Sequence, residues 1–111
     1  MNDRDKAAFK RFAQDEIEEL KAEIPRLEEL VKPVAPDNAI GRISRMDNIV
    51  NQSVAEAQLS KARVRLVRLT EALKRVDEDE DFGLCEDCGD PIPMARLKAM
   101  PETVLCVHCA E

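Results

Sequence analysis

Along the first three quarters of the chain, apolar residues recur every three or four positions. Between residues 3 and 31 they fall at Ala13, Ile17, Leu20, Ile24, Leu27 and Val31, stepping by 4, 3, 4, 3 and 4, with Phe9 one turn earlier. Such a heptad seam predicts an amphipathic helix. Asn2 or Asp3 stands where its first turn needs a side-chain cap. Pro25 lies inside the pattern. Without an amide hydrogen it removes one helical bond, and a kink or local irregularity is expected there. The seam nevertheless keeps its phase across the proline, so one kinked helix is expected rather than two short ones.

Residues 32–38 read Lys-Pro-Val-Ala-Pro-Asp-Asn, a short turn whose prolines end the first helix. Asp37 or Asn38 is a natural cap for the next helix. A second helical pattern covers residues 39–76, clearest at Ala55, Leu59, Ala62, Leu66, Leu69, Leu73 and Val76. Nearer the turn it runs through Ile40, Ile43, Met46 and Val50 in a shifted phase, which implies a break in heptad register near residue 52. Gly41 weakens the helix start by about 1 kcal/mol relative to Ala.

Two long amphipathic helices joined by a short turn must run antiparallel, because neither can bury its stripe alone. A helix of some thirty residues is roughly 45 Å long, so the expected hairpin is slender. The first helix is acid-rich (Asp15, Glu16, Glu18, Glu19, Glu23, Glu28, Glu29) and the second base-rich (Arg42, Arg45, Lys61, Arg63, Arg65, Arg68, Lys74, Arg75). Charges flanking a seam help to set partner and orientation, although each exposed pair contributes little.

The last third holds the four cysteines of the chain, Cys85, Cys88, Cys106 and Cys109, as two Cys-x-x-Cys pairs separated by seventeen residues. Each two-residue gap lets the chain turn so that both sulfurs face one ion, and the spacing suits a closed, tetrahedral, structural zinc site. Gly89 follows the first pair, where the turn calls for positive φ. In so small a segment the metal supplies much of the folding free energy. Iron on the same sulfurs and a disulfide framework are the alternatives, the latter disfavoured because tight Cys-x-x-Cys pairs are poor staples. His108 is read as a surface residue beside a shell already complete. The run Asp77-Glu78-Asp79-Glu80-Asp81 reads as a solvated hinge between helices and finger, with contact to a basic partner as the functional alternative. The domain boundaries expected are therefore a hairpin over 1–76 with its tip at about 32–39, an acidic hinge over 77–84, and a finger over 85–111.

Composition narrows the function. The chain has 111 residues, no Trp or Tyr, three Phe, 36% charged residues and a net charge of −6. Few aromatics argue against a thick globular core. The acidic balance argues against a sequence-independent grip on nucleic-acid backbone. No apolar stretch approaches the ~20 residues of a membrane span, and no signal peptide is recognised. Reduced cysteines at metal-site spacing fit the cytoplasm. With a single His and no nucleophile–base pattern or phosphate-binding loop, no enzyme is expected.

The stretch Glu80-Asp81-Phe82-Gly83-x-Cys85-x-x-Cys88-Gly89-x-x-Ile92, followed by Arg96-Leu97-x-Ala99-x-Pro101 and Leu105-Cys106-x-x-Cys109, resembles the zinc finger of the DksA/TraR family. The acidic helix, Pro-rich turn and long return helix resemble that family's coiled-coil hairpin, most closely at Gly41-Arg42-Ile43-Ser44-Arg45-Met46-Asp47. The resemblance implies a protein that binds bacterial RNA polymerase rather than DNA. Its coiled coil would enter the secondary channel and alter open-complex stability and initiation, often with the alarmone ppGpp. At the tip the family pattern is Asp-x-x-Asp-x-Ala. Here Asp37 and Ala39 match, and Val34 replaces the first Asp. The resemblance places polymerase contact at Asp37, Asn38, Ala39, Arg42, Arg45 and Asp47. In longer members a basic residue precedes the finger proline and another follows the last cysteine. Here those positions are Met100 and Ala110, which implies weak or absent ppGpp dependence.

The expected fold class is thus mainly α, an antiparallel coiled-coil helical hairpin followed by a small four-cysteine zinc finger. The expected function is a monomeric, non-enzymatic transcription regulator. A coiled-coil zinc-finger adaptor that oligomerises is the first alternative, and a nucleic-acid-binding zinc finger the second.

Overall fold

The computed structural model describes residues 1–32 and 41–110, and for residues 41–49 the backbone alone. Four helices follow in chain order: α1 (Asp3–Leu30), α2 (Gly41–Glu78), α3 (Met94–Ala99) and α4 (Val107–Ala110). The described residues contain no strand, only an isolated antiparallel bridge between Leu84 and Pro91. The chain divides into two compact units. One comprises Met1–Glu18 with Leu66–Glu111, the other Glu19–Arg65.

α1 begins as its cap predicts: the Asn2 carboxamide oxygen accepts the Asp5 amide hydrogen at 2.7 Å. The helix runs unbroken through Pro25. That proline cannot donate to the Lys21 carbonyl, but both residues are exposed and water can serve the orphaned oxygen.

In the Glu19–Arg65 unit, Leu27, Leu59 and Ala62 are buried together, with Leu20, Ile24 and Val31 packed against them. Two contacts across this seam give its direction. Glu28 meets Arg63 at 3.7 Å, and the Val31 carbonyl accepts from Gln52 Nε2 at 2.5 Å. Moving forward on α1 means moving backward on α2, so the helices are antiparallel. The Glu28–Arg63 pair matches the acid-to-base complementarity of the two helices but is half exposed, so it is worth about 1 kcal/mol at most. Glu29 pairs with Lys32 along its own chain segment at 2.9 Å.

The seam positions nearest the turn behave differently. Val50, assigned by spacing to the buried line, is 60% exposed. It lies in phase with Val54 and Ala57 rather than with Ala55 and Leu59, and so it falls on the outer face. Ile40, Ile43 and Met46 lie outside the described side chains.

The other unit is built on aromatic packing. Phe9, Phe82, Leu69, Leu97 and Val76 are fully buried, with Ala13 and Ala72 beside them in the core. Phe9 stands 5.2 Å from Phe82 and 6.5 Å from Phe12, centroid to centroid, so the three phenylalanines of the chain form one cluster. Two cations cover its rim: Arg75 lies 5.3 Å from the Phe82 ring and Lys98 5.3 Å from Phe12. Lys10 on α1 pairs with Asp77 on α2, and Arg68 with Glu102 at 3.4 Å. Each fully buried large side chain here contributes about 1.5–3 kcal/mol. Ala72, one position before the seam residue Leu73, is fully buried, while Leu73 is half-buried.

Residues 77–84 contain the end of α2 and a tight turn. The Asp79 carbonyl accepts from Phe82 N at 3.1 Å, and the Asp79 carboxylate accepts from Asp81 N at 2.9 Å. The acids occupy the solvent side while Phe82 plunges into the core.

Candidate metal centre

Two short backbone devices bring the cysteines together. The first is a loop closed at its neck by the Leu84–Pro91 bridge. Ile92 N donates to the Gly83 carbonyl at 2.7 Å, Cys85 N to the Asp90 carbonyl at 2.8 Å, and Gly89 N to the Cys85 carbonyl at 2.9 Å. Gly83 and Gly89 hold φ of 89° and 76°, conformations that an L side chain rarely adopts. The Gly89 conformation is the one its position after Cys88 predicts. Gly83 carries a second constraint: a Cβ there would stand 3.1 Å from the Met1 methyl.

The second device is α4. Cys106 precedes its first residue and Cys109 lies within it, three positions on, which puts both sulfurs on one face. Ala110 N donates to the Cys106 carbonyl at 3.0 Å. The segment leading to α4 is pinned to the first loop by Glu86 N, which donates to the Val104 carbonyl at 2.9 Å. Arg96 Nε and Thr103 Oγ1 both donate to the Leu105 carbonyl, at 3.1 and 3.0 Å. Leu97, buried on α3, and Ile92 tie the finger to its hydrophobic support.

The result is a cage in which the ligand atoms of Cys85, Cys88, Cys106 and Cys109 all lie within 4.8 Å of one another. Cys88 and Cys106 sulfurs are 3.7 Å apart. A tetrahedron with zinc–sulfur bonds of about 2.3 Å has sulfur–sulfur edges of about 3.8 Å, so the donor set fits a zinc ion in size, number and softness. Sequence spacing therefore selected four side chains that the fold does converge. His108 is exposed on α4 and is not part of the cluster.

The electrostatics of the cage explain why it needs a cation. Amide hydrogens of Cys88 and Cys106 hold the Cys85 thiol down to about 6. Cys88 receives a lowering contribution from the Asp90 amide, but its sulfur neighbours Cys85 and Cys106, with desolvation, push it up on balance. Cys109 is pushed far up, first by Cys106 and then by Cys85 and Cys88. The Cys85 thiolate is stabilised by backbone dipoles, whereas ionisation of Cys88 and Cys109 is opposed by the sulfurs around them. A divalent ion at the centre reverses that opposition, and the chemistry it supplies is structural, since four thiolates leave no open position.

A cleft of about 350 Å³ opens beside Cys85, and its ionisable lining is Arg75, Asp79, Asp81, Cys85 and Glu86. The tip residues Asp37, Asn38 and Ala39 lie outside the described residues. Arg42, Arg45 and Asp47 are placed only as backbone positions near the start of α2. No helix among the described residues is long and apolar enough to cross a membrane.

Comparison with known proteins agrees with this geometry. Residues 80–111 match the model of the prokaryotic dksA/traR C4-type zinc finger. The RNA polymerase-binding transcription factors DksA of Escherichia coli and Salmonella typhimurium are 30% identical over 112 residues, an alignment that covers 98% of this chain and 71% of theirs. The uncharacterised protein YbiI of Escherichia coli is 35% identical over 68 residues, covering 59% of this chain and 66% of its own. Among solved structures, transcription factor DksA2 of Pseudomonas aeruginosa superposes with a TM-score of 0.71 at 22% identity, over 99% of this chain and 83% of that one. The shared fold is therefore a helical hairpin with a four-cysteine zinc finger.

Proposed function

The chain belongs to the DksA/TraR family, and from that premise we propose that it is a non-enzymatic transcription regulator that binds bacterial RNA polymerase in the cytoplasm and modulates initiation through the secondary channel. The observation that carries the reading is the span of the similarity. Relatives named RNA polymerase-binding align over 98% of the chain, across hairpin and finger alike. A finger shared on its own would fit many partners. The antiparallel helices α1 and α2 are an element suited to a narrow channel. The net charge of −6 is consistent with a regulator that contacts the enzyme rather than the DNA.

In this reading the turn, with Asp37, Asn38 and Ala39, approaches the catalytic centre, and Arg42, Arg45 and Asp47 contact the channel wall. The hairpin carries this tip as a monomer, and zinc on Cys85, Cys88, Cys106 and Cys109 fixes the finger at its base. Val34 in place of an acid leaves Asp37 as the sole carboxylate of the family's tip pattern. Asp37→Ala is then expected to retain polymerase binding while abolishing the effect on initiation. With Met100 and Ala110 at the positions where longer members are basic, ppGpp is expected to leave the effect unchanged.

The test is the lifetime of competitor-resistant open complexes on a short-lived promoter, with zinc-loaded protein titrated in and ppGpp present or absent. A dose-dependent change in lifetime, equal in both conditions, is expected. An unchanged lifetime at saturating protein would contradict a role in initiation.

A further inference from the structure

The run from Thr103 to Cys106 is held more firmly than its backbone requires. The Val104 carbonyl accepts from Glu86 N, beside Cys85 in the first cysteine loop, at 2.9 Å. The next carbonyl, that of Leu105, accepts twice, from Arg96 Nε at 3.1 Å and from Thr103 Oγ1 at 3.0 Å. The same hydroxyl accepts from Leu105 N at 3.4 Å, so Thr103 closes a tight turn with its own side chain. One neutral donor would satisfy a carbonyl of this kind, yet here a cation and a hydroxyl converge on it. Arg96 reaches it from α3, which supplies no cysteine and is anchored by the fully buried Leu97 next in the chain. Arg96 itself is half-buried and Thr103 is buried.

The doubly held carbonyl controls the peptide that follows. The Leu105 carbonyl and the Cys106 N–H belong to one trans peptide unit and point in opposite directions. With the oxygen fixed on the side of α3, the N–H is turned into the cage, where it is one of the amides that act on the Cys85 sulfur. A cation on the oxygen polarises the amide and strengthens its dipole. The same peptide sets the direction in which the buried Cys106 side chain leaves the backbone. Successive carbonyls are thus held by different elements, Val104 by the first cysteine loop and Leu105 by α3, and together they keep the second cysteine pair against the first. Partners just outside a metal's ligands orient those ligands, and losing one typically weakens metal binding by about 10- to 100-fold.

We infer that Arg96, assisted by Thr103, is a positioning residue of the metal centre: it clamps the Leu105–Cys106 peptide so that Cys106 stays aimed at the ion and its amide at the Cys85 sulfur, and in this way slows the release of zinc. α3 is then the arm that holds the clamp. This role concerns the metal centre alone and does not depend on any polymerase contact.

The experiment uses the zinc-loaded full-length protein and its Arg96→Met, Thr103→Val and Thr103→Ser variants. Transfer of zinc to excess pyridylazoresorcinol is followed with time, and absorption spectra of the cobalt-loaded forms are recorded. Met keeps the length of the Arg stem without a donor, Val keeps the volume of Thr without the hydroxyl, and Ser restores the hydroxyl. Arg96→Met is expected to release zinc about tenfold faster or more. Thr103→Val is expected to release it about threefold faster or more, and Thr103→Ser at the wild-type rate. In Arg96→Met and Thr103→Val the sulfur-to-cobalt charge-transfer band is expected at longer wavelength, because a sulfur less well served by an amide dipole gives up an electron more easily. A side chain that only packed the finger would leave that band in place. Release from Arg96→Met within twofold of wild type overturns the inference. Faster release with an unmoved band also overturns it and assigns Arg96 to the general stability of the finger. If Arg96→Met does not fold, the threonine variants decide: Thr103→Val with wild-type release, or Thr103→Ser as fast as Thr103→Val, overturns the clamp.

Discussion

Cys85 and Cys109 sit in one cage yet are driven in opposite directions, the first down to about 6 by amide donors and the second far up by its thiol neighbours. At pH 7 the metal-free protein therefore holds Cys85 largely as thiolate, while Cys88 and Cys109, raised above the ordinary 9.0, keep their protons. The signs follow. The contribution of Cys85 to metal-free stability is present above 9.0 and lost as pH falls through about 6. Those of Cys88 and Cys109 are present below 9.0 and lost as pH rises. Zinc must then expel protons from Cys88 and Cys109 on binding at neutral pH, and its affinity must climb with pH. Calorimetric titration in buffers of different ionisation enthalpy should register that release. A heat independent of buffer would contradict it. Cys106→Ser removes a ligand that is also nearly buried, and is expected to lower zinc occupancy from one ion per chain to a small fraction, read by metal analysis after gel filtration. At this scale the ligands were legible because Cys-x-x-Cys spacing encodes its own geometry, and so was Gly89. Gly83 was not, since its constraint arises from chain reversal toward Ile92 and from Met1, residues distant in sequence.

The helices obey their seams with instructive exceptions. Leu27, Leu59, Ala62, Leu69 and Val76 are buried as their spacing requires, while Leu66 and Leu73 are half-buried and Ala72 is fully covered. A seam written in steps of three and four fixes which face turns inward, but the packed neighbour decides which residue on that face is sealed. The aromatic cluster was illegible for the same reason: Phe9 and Phe12 lie on α1 and Phe82 follows the acidic turn, and pairing across such distances leaves no periodic trace. Phe9→Ala should therefore cost about 3–5 kcal/mol, more than any exposed ion pair, as measured by denaturant unfolding. A cost below ~1 kcal/mol would mean that the cluster is dispensable. Pro25 is the opposite case. It is exposed within a continuous helix, so Pro25→Ala restores a backbone bond and should raise stability by about 1–3 kcal/mol. A fall in melting temperature would contradict that.

For the molecule as a whole, metal and helices share one fate wherever they share a core. Phe82 leads directly into the first cysteine pair and packs at a tilt against Phe9 of α1, within the unit formed by Met1–Glu18 and Leu66–Glu111. Chelation of zinc should therefore lower the melting temperature of the helical circular dichroism signal as well as unfolding the finger. A helical melt indifferent to chelator would contradict that coupling. The fold class was legible in full from two patterns, a heptad seam and a pair of Cys-x-x-Cys motifs, because both are local. The outward side of α2 was not: exposed valines carry the same letters as buried ones, and Val50 separates from the core line only once α2 is placed against α1. The central claim is that this chain occupies the secondary channel of bacterial RNA polymerase. The most direct measurement is equilibrium binding of zinc-loaded protein to core enzyme in competition with an established secondary-channel factor. The account predicts mutual displacement with a shared endpoint. Absence of binding at micromolar concentrations, or simultaneous binding of both proteins, would contradict it.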